Sequence, residues 1–238
     1  MKTVIILLLW INIAHAGIVL KFNDSAQATK LNNGSQVMHY QEIKSINPAA
    51  RGYNILQTPL NDITKALGFD VIKYIEDRQG KETVIMDWGC GEASMLNEVA
   101  KQLRHAGITN VKLYGFSDLY FSAWSTNDKM ITYLYGDMEE LKSFNIPKVD
   151  LVLSHYGLFH IENDKLVKHF QDFRSILNNS GQIIYNTRDS TKDGLIDLTF
   201  FYDIDIDYKT TPKTHRLKLK TNGSYFYSGS YPIEREEL

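Results

Sequence analysis

The chain has 238 residues, of which 43% are hydrophobic and 23% charged, enough for one sizeable core and far too apolar for a disordered chain. A formal net charge of -2 gives no global attraction to polyanions, so nucleic acid is not the expected partner. The single cysteine excludes an intrachain disulfide framework, and its place inside a glycine turn rather than at metal-ligand spacing implies no metal site.

At the N-terminus, Met1-Lys2-Thr3 is followed by the apolar run Val4 to Ile13 and by Ala14-His15-Ala16. This order of a basic start, an apolar run and a small-x-small site predicts a signal peptide over residues 1–16, cut after Ala16. The run is too short for a stable membrane span. The last residues, Arg235-Glu236-Glu237-Leu238, resemble an endoplasmic-reticulum retrieval tail. The two ends together predict a protein of the secretory pathway or a secreted one. The other reading is a buried first element, an ordinary charged tail and a cytoplasmic protein. Asn-x-Ser/Thr triplets begin at Asn23, Asn33, Asn178 and Asn222 and are common enough by chance to decide nothing.

Residues 17–58 read as a leader and N-terminal segment, with Lys21 to Ser35 polar, without clear period and expected to be a poorly ordered leader or a surface segment. Residues 59–238 read as one domain. Pro59 opens it, and Leu60, Ile63, Leu67, Val71 and Tyr74 recur at helical steps, predicting one amphipathic helix from Leu60 to Glu76. Strands and helices then alternate. Strands are predicted at Thr83 to Met86, Val111 to Phe116, Ile131 to Tyr135, Val149 to Leu153 and Gln182 to Asn186, with helices at Ser94 to His105 and Asp164 to Leu177. That alternation predicts a parallel sheet with right-handed crossovers. Leu198 to Tyr208 and His215 to Tyr227 are aromatic and β-branched, and Asn222-Gly223 is a tight-turn signal, so the domain is expected to close with antiparallel strands. The fold expected is a doubly wound α/β domain.

The strand from Thr83 runs into Asp87-Trp88-Gly89-Cys90-Gly91-Glu92-Ala93 and then a helix, the arrangement of a nucleotide-cofactor cradle. Glycines there allow unusual backbone angles and close approach of a ligand. A pyrophosphate favours a bare helix N-terminus, whereas Asp87 and Glu92 put acids on both sides of this turn. A cationic ligand suits it better. Ser94 also stands where a dinucleotide turn would carry its third glycine, which disfavours a nicotinamide oxidoreductase.

On these residues the chain resembles the class I S-adenosylmethionine (SAM) dependent methyltransferase family, whose first motif is Asp/Glu-x-Gly-x-Gly. Asp87, Gly89 and Gly91 match it. Tyr135-Gly136-Asp137-Met138-Glu139-Glu140-Leu141 is similar to the family segment after its third strand, Val149-Asp150-Leu151-Val152-Leu153-Ser154 to its fourth strand, and residues 173–184 to its helix, glycine turn and fifth strand. The resemblance spans about residues 83–187. It implies a Rossmann-like, mostly parallel seven-stranded sheet with antiparallel C-terminal strands, and SAM as cofactor. It implies that Asp87, Gly89, Cys90 and Gly91 hold the methionine part, that Asp137 and Met138 meet the adenine, and that Ser154 lines the transfer pocket. The family's ribose-binding acid follows a Gly-apolar pair directly. Here Ser117 comes between Gly115-Phe116 and Asp118, and Asp118 is the candidate.

Methyl transfer asks the protein to align an acceptor and, where needed, to take its proton. His155 and His160, in the loop after the fourth strand, are the candidate bases; the alternative is that they only shape that loop. Cys90 is explained by packing, without nucleophilic chemistry. Asp203, Asp205 and Asp207 share one strand face and read as a solvated surface. The Asn/Asp-Pro-Pro-aromatic motif of DNA amino-methyltransferases is replaced by Ser154-His155-Tyr156-Gly157. The implied activity is methyl transfer to a small-molecule or protein acceptor. The alternative is a non-catalytic SAM-binding or interaction module on the same fold.

Overall fold

The computed structural model describes residues 19–20, 27–39, 58–78, 80–158, 161, 163–186, 202–207 and 214–219. The predicted signal run, the C-terminal tail, Asn23, His160, the Asn222-Gly223 turn and the aromatic residues 225–231 lie outside the described residues.

The strands are β1 (Val19–Leu20), β2 (Gln27–Lys30), β3 (Gln36–His39), β4 (Thr83–Trp88), β5 (Val111–Ser117), β6 (Ile131–Tyr135), β7 (Val149–Ser154), β8 (Leu177–Asn186), β9 (Tyr202–Asp207) and β10 (Thr214–Leu219). The helices are α1 (Leu60–Leu67), α2 (Val71–Asp77), α3 (Ser94–His105) and α4 (Asn163–Ile176). The strands form one sheet in the order β1-β2-β3-β6-β5-β4-β7-β8-β10-β9. Strands β6, β5, β4, β7 and β8 are parallel, and β10 runs antiparallel to both β8 and β9. The expected doubly wound sheet is therefore present, with its antiparallel close. Its five parallel strands follow the 3-2-1-4-5 order of a dinucleotide-type fold, which puts a crevice outside the carboxyl ends of β4 and β7, where the winding reverses.

Strands β4 and β7 are buried at every position because helices cover both faces of the sheet. Side chains alternate between two cores. Ile85 packs with Leu60, Ile63 and Leu67 of α1 and Leu96, Val99 and Leu103 of α3. Val84, Met86 and Trp88 pack on the other face with Phe170 and Phe173 of α4. At the opposite end from the crevice, Asp150 accepts from the Val84 amide at 2.8 Å and from Arg78 at 2.7 Å, and Asn178 also donates to it.

Two expectations are corrected. The single helix Leu60 to Glu76 is two, because Gly68 closes α1 in the left-handed region at φ 56° and Asp70 starts α2 by accepting from the Lys73 amide at 3.0 Å. The polar stretch expected to be a poorly ordered leader or surface segment contains β2, which pairs with β3 just after it and, through β3, joins β6 in parallel. Among the described residues the sheet thus has ten strands, where the resemblance implied seven. Strands β9 and β10 pair antiparallel, as expected of the close of the domain. On β9, Asp203 and Asp205 stand directly opposite Lys218 and Arg216 of β10. Two glycosylation triplets are engaged inside the fold. The Asn33 amide donates to the carbonyls of Trp124 and Asn127 at 2.9 and 2.6 Å, and the Asn178 amide to Asp150. Among the described residues no helix is long and apolar enough to cross a membrane.

Candidate functional site

The crevice between β4 and β7 is closed at its base by two glycines. Gly89 has φ +79°, and a Cβ on it would lie 2.8 Å from the Gly157 Cα. A Cβ on Gly157 would lie 2.5 Å from the Trp88 carbonyl and 2.7 Å from Ser154 Oγ. The turn after β4 and the loop after β7 therefore touch backbone to backbone, and neither tolerates a side chain at the contact. The Gly89 and Cys90 amides both donate to the Phe116 carbonyl, at 2.9 and 3.1 Å, which anchors the turn to β5. Gly91 (φ 53°) and Ala93 (φ 61°) continue it in left-handed geometry into α3.

Asp87, near the end of β4 where this turn begins, is buried. Burial pushes its pKa up to about 7, with desolvation as the cause. A carboxyl held this way gains most from a bound cation. Cys90, named as a cofactor contact, belongs to the core: its Sγ fills the space left by Gly115, where a Cβ would approach to 2.9 Å. Burial raises the thiol pKa well above the ordinary value. The Cys90 thiol donates weakly to the Gly91 carbonyl at 3.7 Å.

A second layer holds the turn from the β5–β6 connection. Trp124 Nε1 donates to the Gly91 carbonyl at 2.8 Å, and Asn127 donates to the Glu92 carbonyl at 2.7 Å. Trp124 stacks on Tyr133 with ring centroids 4.4 Å apart. At the end of β5, Ser117 is buried and its Oγ accepts from the Leu119 amide at 3.0 Å, while Asp118 is exposed just beyond the strand. Asp137 is exposed just beyond β6, the adjacent strand. Met138 opens the short 3-10 helix that follows, and His160 lies outside the described residues.

On the other wall, Ser154 is fully buried and its Oγ accepts from the Leu158 amide at 3.0 Å, so its hydroxyl shapes the loop. Tyr156 has φ 63°, a left-handed conformation that costs a non-glycine residue about 1 kcal/mol or more. His155 is half-buried between this loop, β8 and α1. Its Nδ1 lies 2.6 Å from Asn186 Oδ1 at the end of β8, and its ring lies 4.2 Å from that of Tyr156. Desolvation lowers its pKa; the Asn186 bond and the Asp62 charge act the other way.

Residues 86–185 match the family model described as a methyltransferase domain. Over that segment the chain is similar to methyltransferase domains. The matched segment starts inside β4 and ends inside β8, the parallel core that frames the crevice. Among solved structures, the chain is similar to an amino pentose methyltransferase of Micromonospora echinaspora, at 11% identity, 76% of this chain, 100% of that one and a TM-score of 0.49. It is also similar to magnesium protoporphyrin IX methyltransferase of Synechocystis, at 12% identity, 68% and 79% coverage and a TM-score of 0.48. A third is an rRNA methylase of Streptococcus thermophilus, at 14% identity, 63% and 96% coverage and a TM-score of 0.42. No curated protein gives a significant match.

SAM, the cofactor that the resemblance implies, fits the residues present. The glycine contact leaves room against the backbone, and the buried Asp87 carboxyl suits the cofactor's positive charge. Asp118 and Asp137 follow the carboxyl ends of neighbouring strands. Sequence reasoning singled out the turn but missed Gly157, Asn186, Trp124 and Asn127. Asn186 carried a signal, since a polar residue ending an apolar strand at the crevice is rarely there for packing.

Proposed function

We propose that this methyltransferase transfers a methyl group from SAM to a small-molecule or protein acceptor, with Asp87 and the Gly89–Gly157 contact holding the cofactor and His155 facing the acceptor. When bound, SAM supplies a methyl carbon activated by its sulfonium, so the electron pair of the breaking bond returns to sulfur. The chain's residues supply alignment and, at His155, a place for the acceptor's proton. Asp118 and Asp137 serve the ribose and adenine in this reading, with Met138 beside them and Ser154 holding the acceptor-side loop in shape.

The observation that carries the proposal is the buried Asp87 carboxyl beside two glycines that leave no room for side chains. Calorimetric titration of the protein with SAM, its demethylated product and NADH tests it. Binding of the first two and not the third, lost in Asp87→Asn, is the expected result; binding of NADH alone overturns it. A secretory location, carried by Met1 to Ala16, is part of the proposal. A mature N-terminus beginning at Gly17 supports it and an intact Met1 rejects it.

A further inference from the structure

Asn186 is the fully buried last residue of β8 and makes two directional bonds. Its Nδ2 donates to the Ala66 carbonyl at the end of α1, at 3.3 Å, which fixes the amide with Oδ1 turned to His155. Oδ1 has no hydrogen, so at 2.6 Å the proton between the two residues sits on His155 Nδ1. The imidazole is thereby held as the Nδ1–H tautomer, and Nε2 keeps its lone pair. Other groups around the ring leave that assignment in place. Asp62 on α1 adds a negative charge and Tyr156 contributes its ring.

We infer that Asn186 is a positioning residue that presents His155 Nε2 as the proton acceptor of the reaction, and that the methyl acceptor is accordingly a hydroxyl group. The inference rests on the methyltransferase reading. As the acceptor oxygen bonds to the methyl carbon and the methyl–sulfur bond breaks toward sulfur, the hydroxyl proton moves to Nε2 and leaves His155 an imidazolium. A carboxylate acceptor is already ionised near neutral pH and brings no proton to remove. An amine attacks through its own lone pair and needs no base during the displacement. A hydroxyl is the acceptor for which an oriented neutral imidazole makes the difference.

The test is nitrogen NMR of the full chain with labelled histidine, on the wild type, Asn186→Ala and Asn186→Asp. Wild-type His155 is expected as the Nδ1–H tautomer. Asn186→Ala should lose that preference, and Asn186→Asp should keep it while raising the titration midpoint by about one pH unit or more. A proton on Nε2 in the wild type, or an unchanged tautomer in Asn186→Ala, overturns the positioning role. These spectra need neither cofactor nor turnover, so they separate this inference from the methyltransferase reading, which fails instead on SAM binding. The same proteins are then given SAM with catechol or with benzoate. Catechol methylation whose kcat falls about 100-fold in Asn186→Ala at steady KM, and recovers in Asn186→Asp with a shifted pH profile, supports the hydroxyl assignment. Transfer to benzoate, transfer indifferent to Asn186, or no transfer to catechol overturns it.

Discussion

The turn after β4 and the loop after β7 meet at Gly89 and Gly157, yet they hold their shapes by different means. The turn is fixed through its backbone: amides of Gly89 and Cys90 go to Phe116, and carbonyls of Gly91 and Glu92 are held by Trp124 and Asn127. Its one functional side chain, Asp87, is buried and raised to about 7. The loop is fixed through side chains, with Ser154 bonding the Leu158 amide, His155 bonding Asn186, and Tyr156 in a strained conformation. A wall built from backbone suits a cofactor whose shape never changes. A wall built from side chains can be re-aimed by substitution, which suits the acceptor side.

The contact between the walls is where the largest effect is expected. Gly157→Ala places a carbon 2.5 Å from a backbone carbonyl, and neither partner is a flexible side chain. The strain should cost about 3 kcal/mol and abolish SAM binding, read by thermal unfolding and calorimetry. Unchanged stability and affinity would mean the two walls do not meet.

Next comes the charge inside the turn. Asp87→Asn keeps the shape and removes the anion, and SAM affinity should fall about 100-fold. The ligand-free variant should be no less stable at neutral pH, because the buried carboxylate is penalised there. The pH dependence follows with its sign. Between about 4, the ordinary carboxylate value, and about 7, the folded protein holds a proton at Asp87 that the unfolded chain has released. Ligand-free stability therefore falls as pH rises through that window, opposite to a salt-bridged carboxylate, and the slope flattens in Asp87→Asn. SAM binding needs the ionised form, so affinity should drop by about tenfold per pH unit below 7. Calorimetry across that range reads both trends, and a flat profile would remove Asp87 from the cation's surroundings.

Much of this architecture was legible in the sequence. The parallel strands are buried on both faces and so read as apolar runs, and the turn announced itself by two glycines and an acid between strand and helix. The first sheet edge did not. Strands β2 and β3 are four residues each and polar in composition, and they form because β6 offers an unpaired edge, with Val37 and Thr29 buried and Thr29 bonded to His39 at 2.9 Å. Gly68 looked like one tolerated glycine in a long helical pattern, and the cap chemistry of Asp70 decided otherwise. The acceptor wall was legible only as a place. His155 could be named from its position after β7, but its partner lies 31 residues on, and only the fold brings Asn186 beside it.

That same N-terminal edge sharpens the comparison, because it braces the backbone wall from outside. Asn33 bonds the carbonyls of Trp124 and Asn127, the two residues that clasp the turn. Asn33→Ala removes these two hydrogen bonds and the two that its Oδ1 accepts from Ser35, and should cost about 2 kcal/mol or more, with a several-fold loss of SAM affinity and no change in the His155 tautomer. A loss confined to stability would detach the edge from the site.

The smallest effect is expected at Cys90, although it sits between the two glycines of the turn. If that wall acts through its backbone, the side chain there should be replaceable. Its Sγ occupies the space beside Gly115, against Leu96 and Tyr133, so Cys90→Ala leaves a small void that costs about 1 kcal/mol. SAM affinity should stay within about twofold, below the resolution of any energetic role for the thiol. The native thiol, buried and raised well above its ordinary pKa, should also resist alkylation at about pH 8 until the protein unfolds. Loss of binding in Cys90→Ala, with stability nearly intact, would place a side chain in the cofactor's path and undo the contrast between the two walls.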